Sequence, residues 1–513
     1  MSNGPLGFVV RVADRRLSVS QHGLHQQVHA GAGGEVCFLS DLPLPDLEKT
    51  AEAVLESGTQ ALRDMPGGIL TFAVRSGSDG TEVIAARDVV GLLPLYAMST
   101  EEGRQVFLSS LGHIRQVGHD RPLRVDKDAV PEYLLYRQVV GPRTLFEGVS
   151  APLPGHAIVK QGRESRHVPY FDLQATFKRT SADGVAEKVS SSLHASIARE
   201  IDGKRRGLMF SGGLDSSWLA YAKPDLDMAL YTISFPGSES DLQSALNEAS
   251  FLQREIRSVR LEREGYARQL PAAIAASGLP MDHPNYVGRR ALFTLAAQDG
   301  MDRLIGGDGA DSIFGGSWHD SVYKALTLKR FVPALIGRLP LPDRRGVQVK
   351  RILGSDLHDL VINDSYYPPE VASRFVPGGL DPRIPLRDLV GSLHGMSPLD
   401  RAFFMSLMRS SGDSAVQTAL AWSAGVGLGY PYQTREIVEL ANGVAGEQKL
   451  SGFKPKALLV DACRRDVPAR IINRKKSGLP IPLRDFILGD GGLLRYRDLL
   501  LGSDCMSDSI LDL

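Results

Sequence analysis

Apolar and polar positions divide the chain into two patterns. From Gly7 to about Asp172, short apolar runs alternate with Gly/Asp/Ser turns: 8–12, 69–74, 83–86 and 105–109. Runs this short, bounded by turn residues, predict strands. Leu47 to Asp64 instead repeats apolar residues at helical spacing (Ala51, Val54, Leu55, Leu62), so this half is predicted to be mixed α+β. Leu173 to Asp183 is polar and predicts a linker, followed by an amphipathic helix around Gly184 to Ile201.

The second half alternates. The pattern predicts strands at 207–210, 229–235, 257–261 and 302–306, and helices at 216–223, 240–253, 264–277 and 288–299. Strand–helix alternation implies an α/β unit, a parallel sheet with helices on its faces. Beyond Phe314 the pattern turns mostly helical, broken by Pro-rich segments at 339–342, 366–369 and 376–385. Ligands of open α/β sheets sit outside the carboxyl ends of the strands. The loops after the 207–210 and 302–306 strands are therefore placed to converge.

Both loops carry chemistry. Ser211-Gly212-Gly213-Leu214-Asp215-Ser216-Ser217 follows the first strand and opens a helix. Its glycines let backbone N–H groups converge on an oxyanion, and the helix N-terminus adds a favourable dipole. No Lys follows the glycines as in a Walker loop, but Asp215 can carry Mg2+ beside a phosphate. Such a site suits pyrophosphate leaving from the α-phosphorus. Gly306-Gly307-Asp308-Gly309-Ala310-Asp311 follows the second strand, and Asp311 can share the Mg2+ with Asp215.

Composition narrows the class. The 513 residues suggest two to four domain-sized units, with 43% apolar residues to fill their cores. Lys and Arg total 59 and Asp and Glu total 59, so no basic footprint for nucleic acid or an anionic membrane is present. Cys37, Cys463 and Cys505 are too few and too dispersed for a zinc site or a disulfide framework. No signal peptide and no membrane-length apolar run are read, so a cytoplasmic protein is expected.

With these motifs the chain resembles the asparagine-synthetase/β-lactam-synthetase family. The resemblance rests on Ser211–Ser217, then Thr232-Ile233-Ser234-Phe235, then Gly307–Asp311 with Phe314-Gly315-Gly316, then Asn473-Arg474-Lys475-Lys476-Ser477-Gly478. In the first half, Ala86-Arg87-Asp88, Gly91, Pro94-Leu95-Tyr96 and Thr144–Val149 look like the later part of that family's glutaminase-type domain. The resemblance implies an Ntn-hydrolase-like α+β sandwich over 1–172 and an adenine-nucleotide α-hydrolase-like synthetase domain over 184–513. It implies that Ser211, Gly212, Gly213, Asp215 and Ser216 hold pyrophosphate, and that Met209, Ile233 and Gly307 line the adenine and ribose pocket. Asp215 and Asp311 would bind Mg2+. Lys476 would meet phosphate and the developing charge, with Arg474 supporting.

Departures from the family shape the expected function. Active glutaminase domains of this kind begin with Cys after the initiator Met, where this chain has Ser2. Neither Arg-Gly-Pro-Asp nor Asn-Gly-Glu-Ile-Tyr-Asn occurs in the first 65 residues, so the first half is expected to be a scaffold without ammonia production. Gly425–Tyr432 lacks the charged pair of asparagine-forming members. The lactam-forming branch uses a Tyr at the position of Asp308 with an upstream Glu, matched here by Ala415 with Asp413 nearby. Asp308 is then the candidate base toward an amine. The expected reaction is ATP-dependent, AMP-forming amide synthesis on a small-molecule or peptide substrate, with ring closure to a lactam or lasso-type macrolactam, or amidation. A partner protein could deliver a peptide. A glutamine- or ammonia-dependent amidotransferase and a non-catalytic nucleotide-binding partner stand as alternatives.

Overall fold

Side-chain alternation with a period of two builds the N-terminal half. The structure, a computed structural model, describes residues 5–13, 16–31, 33–77, 80–100, 103–117, 123–139, 141–201, 205–223, 228–331, 383–451, 455–474 and 480–488; Ser2, Lys476 and Cys505 lie outside the described residues. One antiparallel sheet is ordered β2 (Arg16–His22), β1 (Gly7–Ala13), β8 (Gln105–Leu108), β7 (Tyr96–Ser99), β9 (Val149–Ser150). The other is ordered β11 (Glu164–Pro169), β10 (His156–Gln161), β6 (Gly80–Ala86), β5 (Leu70–Gly77), β4 (Gly34–Ser40), β3 (His25–Gly31). Phe8 and Val10 of β1 meet Leu70, Phe72 and Val74 of β5 between the sheets, with Phe72 packed against both Phe8 and Phe107. The alternate residues face outward. Val36, Phe38 and Ala73 meet Ala51 and Val54 of helix α1 (Glu48–Ser57), while Val9 packs with Tyr96 and Met98 on the opposite outer face.

The second half carries a parallel sheet ordered β14 (Ile256–Arg260), β13 (Ala229–Ser234), β12 (Arg206–Met209), β15 (Arg303–Ile305), β16 (Gly427–Gly429). Each predicted strand lies within one residue or so of an observed one, and the fold class is as read. From the central β12 the chain first builds outward through β13 and β14, then returns to β12's other side with β15. The reversal opens a crevice at the carboxyl ends of β12 and β15. A helix-rich part follows, dominated by the long helix Pro398–Ser423. No described helix is long and apolar enough to cross a membrane.

Two buried arginines join the halves. Arg87 donates to the carbonyls of Gly91 (2.7 Å) and Pro152 (3.1 Å), and across the junction to Ser411 (3.0 Å). Asp88 accepts from the backbone N–H groups of Gly91 (2.8 Å) and Leu93 (3.0 Å), fixing the turn between them. Arg303 on β15 lies 2.5 Å from Glu200 Oε2 of the 185–201 helix and 3.0 Å from Asp41 Oδ2 of the first half, and donates to the Leu428 carbonyl at 2.9 Å. Its side chain is only 3% exposed.

Removing a buried charge strands its partners, a penalty usually larger than the pair's own net worth. Arg303→Leu is accordingly expected to lose about 3–5 kcal/mol of unfolding free energy in a urea titration. A loss below about 1 kcal/mol, the scale of an exposed ion pair, would contradict this role.

Candidate active site

At the end of β12 the chain must turn sharply and start the helix Leu214–Tyr221 after only four residues. Gly212 makes the turn at φ +67°, and a Cβ there would sit 3.1 Å from the Ser244 carbonyl oxygen, so a side chain is disfavoured both by the backbone and by the space. Ser211 and Ser216 close the loop on itself: the Ser211 N–H donates to Ser216 Oγ at 3.2 Å, and the two hydroxyls lie 3.2 Å apart. Arg474 donates to the Gly212 carbonyl at 2.9 Å from outside the loop.

The loop after β15 packs onto this one. A Cβ on Gly307 would lie 3.1 Å from Asp215 Cβ and 3.2 Å from the Ser216 nitrogen. Absence of a side chain therefore sets how closely the loops approach. Met209 ends β12 beside Gly306, and Ile233 lies near the carboxyl end of neighbouring β13, both partly exposed. The chain thus brings Met209, Ser211, Gly212, Gly213, Asp215, Ser216, Ile233, Gly307 and Asp311 to the same end of one sheet. Lys476 lies outside the described residues.

A residue that the sequence reading missed links the two loops. Lys456 Nζ lies 2.5 and 2.6 Å from the Asp215 carboxylate oxygens and 2.7 Å from Asp311 Oδ1. Burial opposes the ammonium's charge, but the two carboxylates outweigh it and raise its pKa above the ordinary lysine value. Its backbone is left-handed, φ 61° and ψ 32°, at the start of the helix Ala457–Cys463. Both features are unfavourable for lysine, since that backbone is strained without glycine and a helix N-terminus repels cations. The carboxylates compensate. A lysine directly before an apolar helical run was the signal available in the sequence.

Asp215 and Asp311 meet at the Lys456 ammonium; both offer hard oxygen donors of the kind Mg2+ takes, and Asp311, 48% exposed, is the one that stays open toward the crevice. Among the described residues no three His, Cys, Asp or Glu side chains are grouped to hold a metal by themselves. Mg2+ held here would therefore complete its coordination with phosphate oxygens and water, as that ion ordinarily does.

Asp308 has a different setting from the one expected of a base. Its oxygens accept from Arg289 Nη1 (2.8 Å) and Nη2 (2.9 Å), and Arg289 also donates to Gln417. Both oxygens of Asp308 are thus paired with Arg289, which ties its loop to the 285–298 helix. Burial works against Arg289's charge, yet Asp308 more than offsets it and keeps the guanidinium firmly protonated. A Tyr–carboxylate contact does exist, formed by other residues: Tyr286 donates to Asp413 Oδ1 at 2.8 Å.

Beside the crevice a cavity of about 460 Å3 runs from Asp311 toward the first half, reaching Asp282, Asp413, Tyr96 and Tyr133. The described cysteines are closed off from solvent. Cys37 and Cys463 are fully buried, and burial pushes each thiol up to about 12.

Comparison with known proteins agrees with this geometry. A family model for asparagine synthase matches residues 188–511, and one for a glutamine amidotransferase domain matches residues 44–171. Asparagine synthetase [glutamine-hydrolyzing] 1 of Bacillus subtilis is 24% identical over 454 residues, covering 82% of this chain and 68% of that protein. A putative asparagine synthetase [glutamine-hydrolyzing] of Mycobacterium bovis is 24% identical over 480 residues, covering 87% and 71%. Amidase chyE of Penicillium rubens is 26% identical over 189 residues, covering 32% of this chain and 28% of that protein. Since the first of these matches spans well over half the chain, the protein belongs to the asparagine synthase family and is an ATP-dependent carbon–nitrogen ligase.

Proposed function

We propose that this ligase adenylates a substrate carboxylate, releasing pyrophosphate, and joins it to an amine carried by a substrate, releasing AMP. The observation that supports this reading is the Asp215–Lys456–Asp311 contact at the crevice, where an anion loop, two carboxylates and a buried cation meet. The Ser211–Ser216 loop binds the pyrophosphate portion of ATP through backbone N–H groups and hydroxyls. Met209, Ile233 and Gly307 border the space for the nucleoside. Lys456 balances negative charge that grows on the leaving pyrophosphate, as charge stabilisation and positioning carry most of the rate in phosphoryl-type transfers. Mg2+, held by Asp215 and Asp311, supplies further charge neutralisation at the phosphates when bound. Lys476 is assigned to the same charge.

The size of the adjoining cavity supports a substrate larger than an amino acid. Ring closure fits this, to a lactam or to a macrolactam in a ribosomal peptide of the kind made in antibiotic biosynthesis, with a partner protein delivering the peptide. The second reading is a glutamine-hydrolysing amidotransferase, favoured by the match over residues 44–171 and by the names of the relatives. It requires a nucleophile in the first half. Cys37, the cysteine there, is buried with its thiol raised to about 12, which disfavours the thiolate.

Asp311→Asn is expected to slow substrate-dependent AMP formation by about 10²–10³-fold, the usual scale for losing a preorganised charge partner. A rate near that of the unaltered protein would remove Asp311 from the site. Incubation with glutamine and ATP is expected to yield no glutamate above a heat-killed control. Steady glutamate release would instead establish the amidotransferase.

A further inference from the structure

Phe314-Gly315-Gly316 closes the short helix that carries Asp311, and its backbone lies directly behind the Asp311 carboxylate. A Cβ on Gly316 would sit 2.9 Å from both Asp311 Cγ and Asp311 Oδ1, the oxygen that meets Lys456 at 2.7 Å. The Gly315 N–H donates to the Asp311 carbonyl at 3.0 Å, and Gly315 itself turns at φ +96°. Carboxylate and turn are packed against each other, so a shift of one is a shift of the other.

The buried Gly316 N–H donates to His319 Nδ1 at 3.2 Å, three residues on in the helix Ser317–Phe331. A ring nitrogen that accepts is unprotonated, so the proton of the neutral imidazole sits on Nε2. Nε2 is buried and has no hydrogen-bond partner among the described residues, so Nδ1 is where this ring acts. Packing fixes its orientation. His319, 2% exposed, stacks on Phe403 of the helix Pro398–Ser423 with centroids 4.3 Å and planes 24° apart, and Trp318 crosses it at 73°. Lys449 Nζ lies 4.1 Å from the same Phe403 centroid. A stacked ring and an ammonium cannot share one face, so Phe403 is sandwiched between them. Burial first, then the charge of Lys449, hold the imidazole down to about 3, although Asp311 pulls the other way. Nδ1 thus stays free to accept.

We propose that His319 is a positioning residue of the ligase: its Nδ1 holds the Gly316 N–H, and through that turn it fixes the Asp311 carboxylate against Lys456 and toward the phosphates. This role rests on the proposed assignment of Asp311 to the ATP site. Without the acceptor, the buried Gly316 N–H must find another, and the carboxylate packed against Gly316 is an acceptor beside it. A carboxylate drawn to that N–H leaves its place between Lys456 and the crevice.

Calorimetric titration of ATP with Mg2+ into the full chain tests this with two replacements of opposite kind. His319→Phe keeps a ring to stack on Phe403 and removes the acceptor. His319→Asn gives up the ring but returns a carboxamide oxygen near the position of Nδ1. Affinity is expected to fall about tenfold in His319→Phe and to come back to within about threefold of the unaltered protein in His319→Asn. Asp311→Asn is itself expected to weaken binding, and adding His319→Phe to it is expected to cost less than about twofold, since no carboxylate remains to be displaced. Merely structural damage would cost the same in both backgrounds. Each protein is checked for native circular dichroism, and His319→Leu takes the place of His319→Phe if that variant does not fold. Unchanged affinity in His319→Phe, an equal loss in His319→Asn, or the full loss repeated in the Asp311→Asn background overturns the proposal. If Asp311→Asn binds as tightly as the unaltered protein, the assignment of Asp311 falls and the positioning role with it. If Asp311→Asn binds weakly while folded His319→Phe binds normally, the positioning role alone falls.

Discussion

One ammonium holds together two carboxylates that arrive from different strands. Asp215 opens the helix after β12, Asp311 lies in the short helix after β15, and Lys456 reaches both from the far side of the helical region. Without that cation, two carboxylates facing a crevice would repel each other and any polyphosphate entering it. Lysine is buried there, with 8% of its side chain exposed against 48% for Asp311. The positive charge is thus fixed in the wall while the carboxylate stays open to ligands. Tyr432, donating to the Asp215 carbonyl at 2.8 Å, steadies the same helix start.

The rest of the architecture keeps these loops in register. Residues 88–93, tied to Asp88 and Arg87, couple the first half to the Pro398–Ser423 helix through the Ser411 carbonyl. Trp422, at the far end of that helix, enters the core between the two antiparallel sheets. The Ala86-Arg87-Asp88 and Gly91 resemblance is therefore explained by architecture. It marks a junction between halves rather than a group that touches glutamine.

Much of this was legible in the sequence because the signals were local. The strands and helices of the second half are marked by apolar runs closed by Gly or Asp, and the loops after β12 and β15 are specified by glycines with steric work to do. Edge strands β2 and β3 escaped notice because Arg16–His22 and His25–Gly31 carry too little apolar content on either face. Strand β16 is Gly427-Leu428-Gly429, whose glycines hide it until β15 is present to pair with it. Lys456 depends on contacts between residues far apart in the chain. A spacing rule has no access to those, and the same holds for Arg289, which pairs with both oxygens of Asp308.

Calorimetric titration of ATP with Mg2+ into the full chain and into Lys456→Met tests the central claim most directly, because it needs no knowledge of the acid or the amine. With the buried cation gone, ATP affinity is predicted to fall by about tenfold or more while circular dichroism stays native. Equal affinity in the two proteins would contradict the assignment of Asp215, Lys456 and Asp311 to the phosphates.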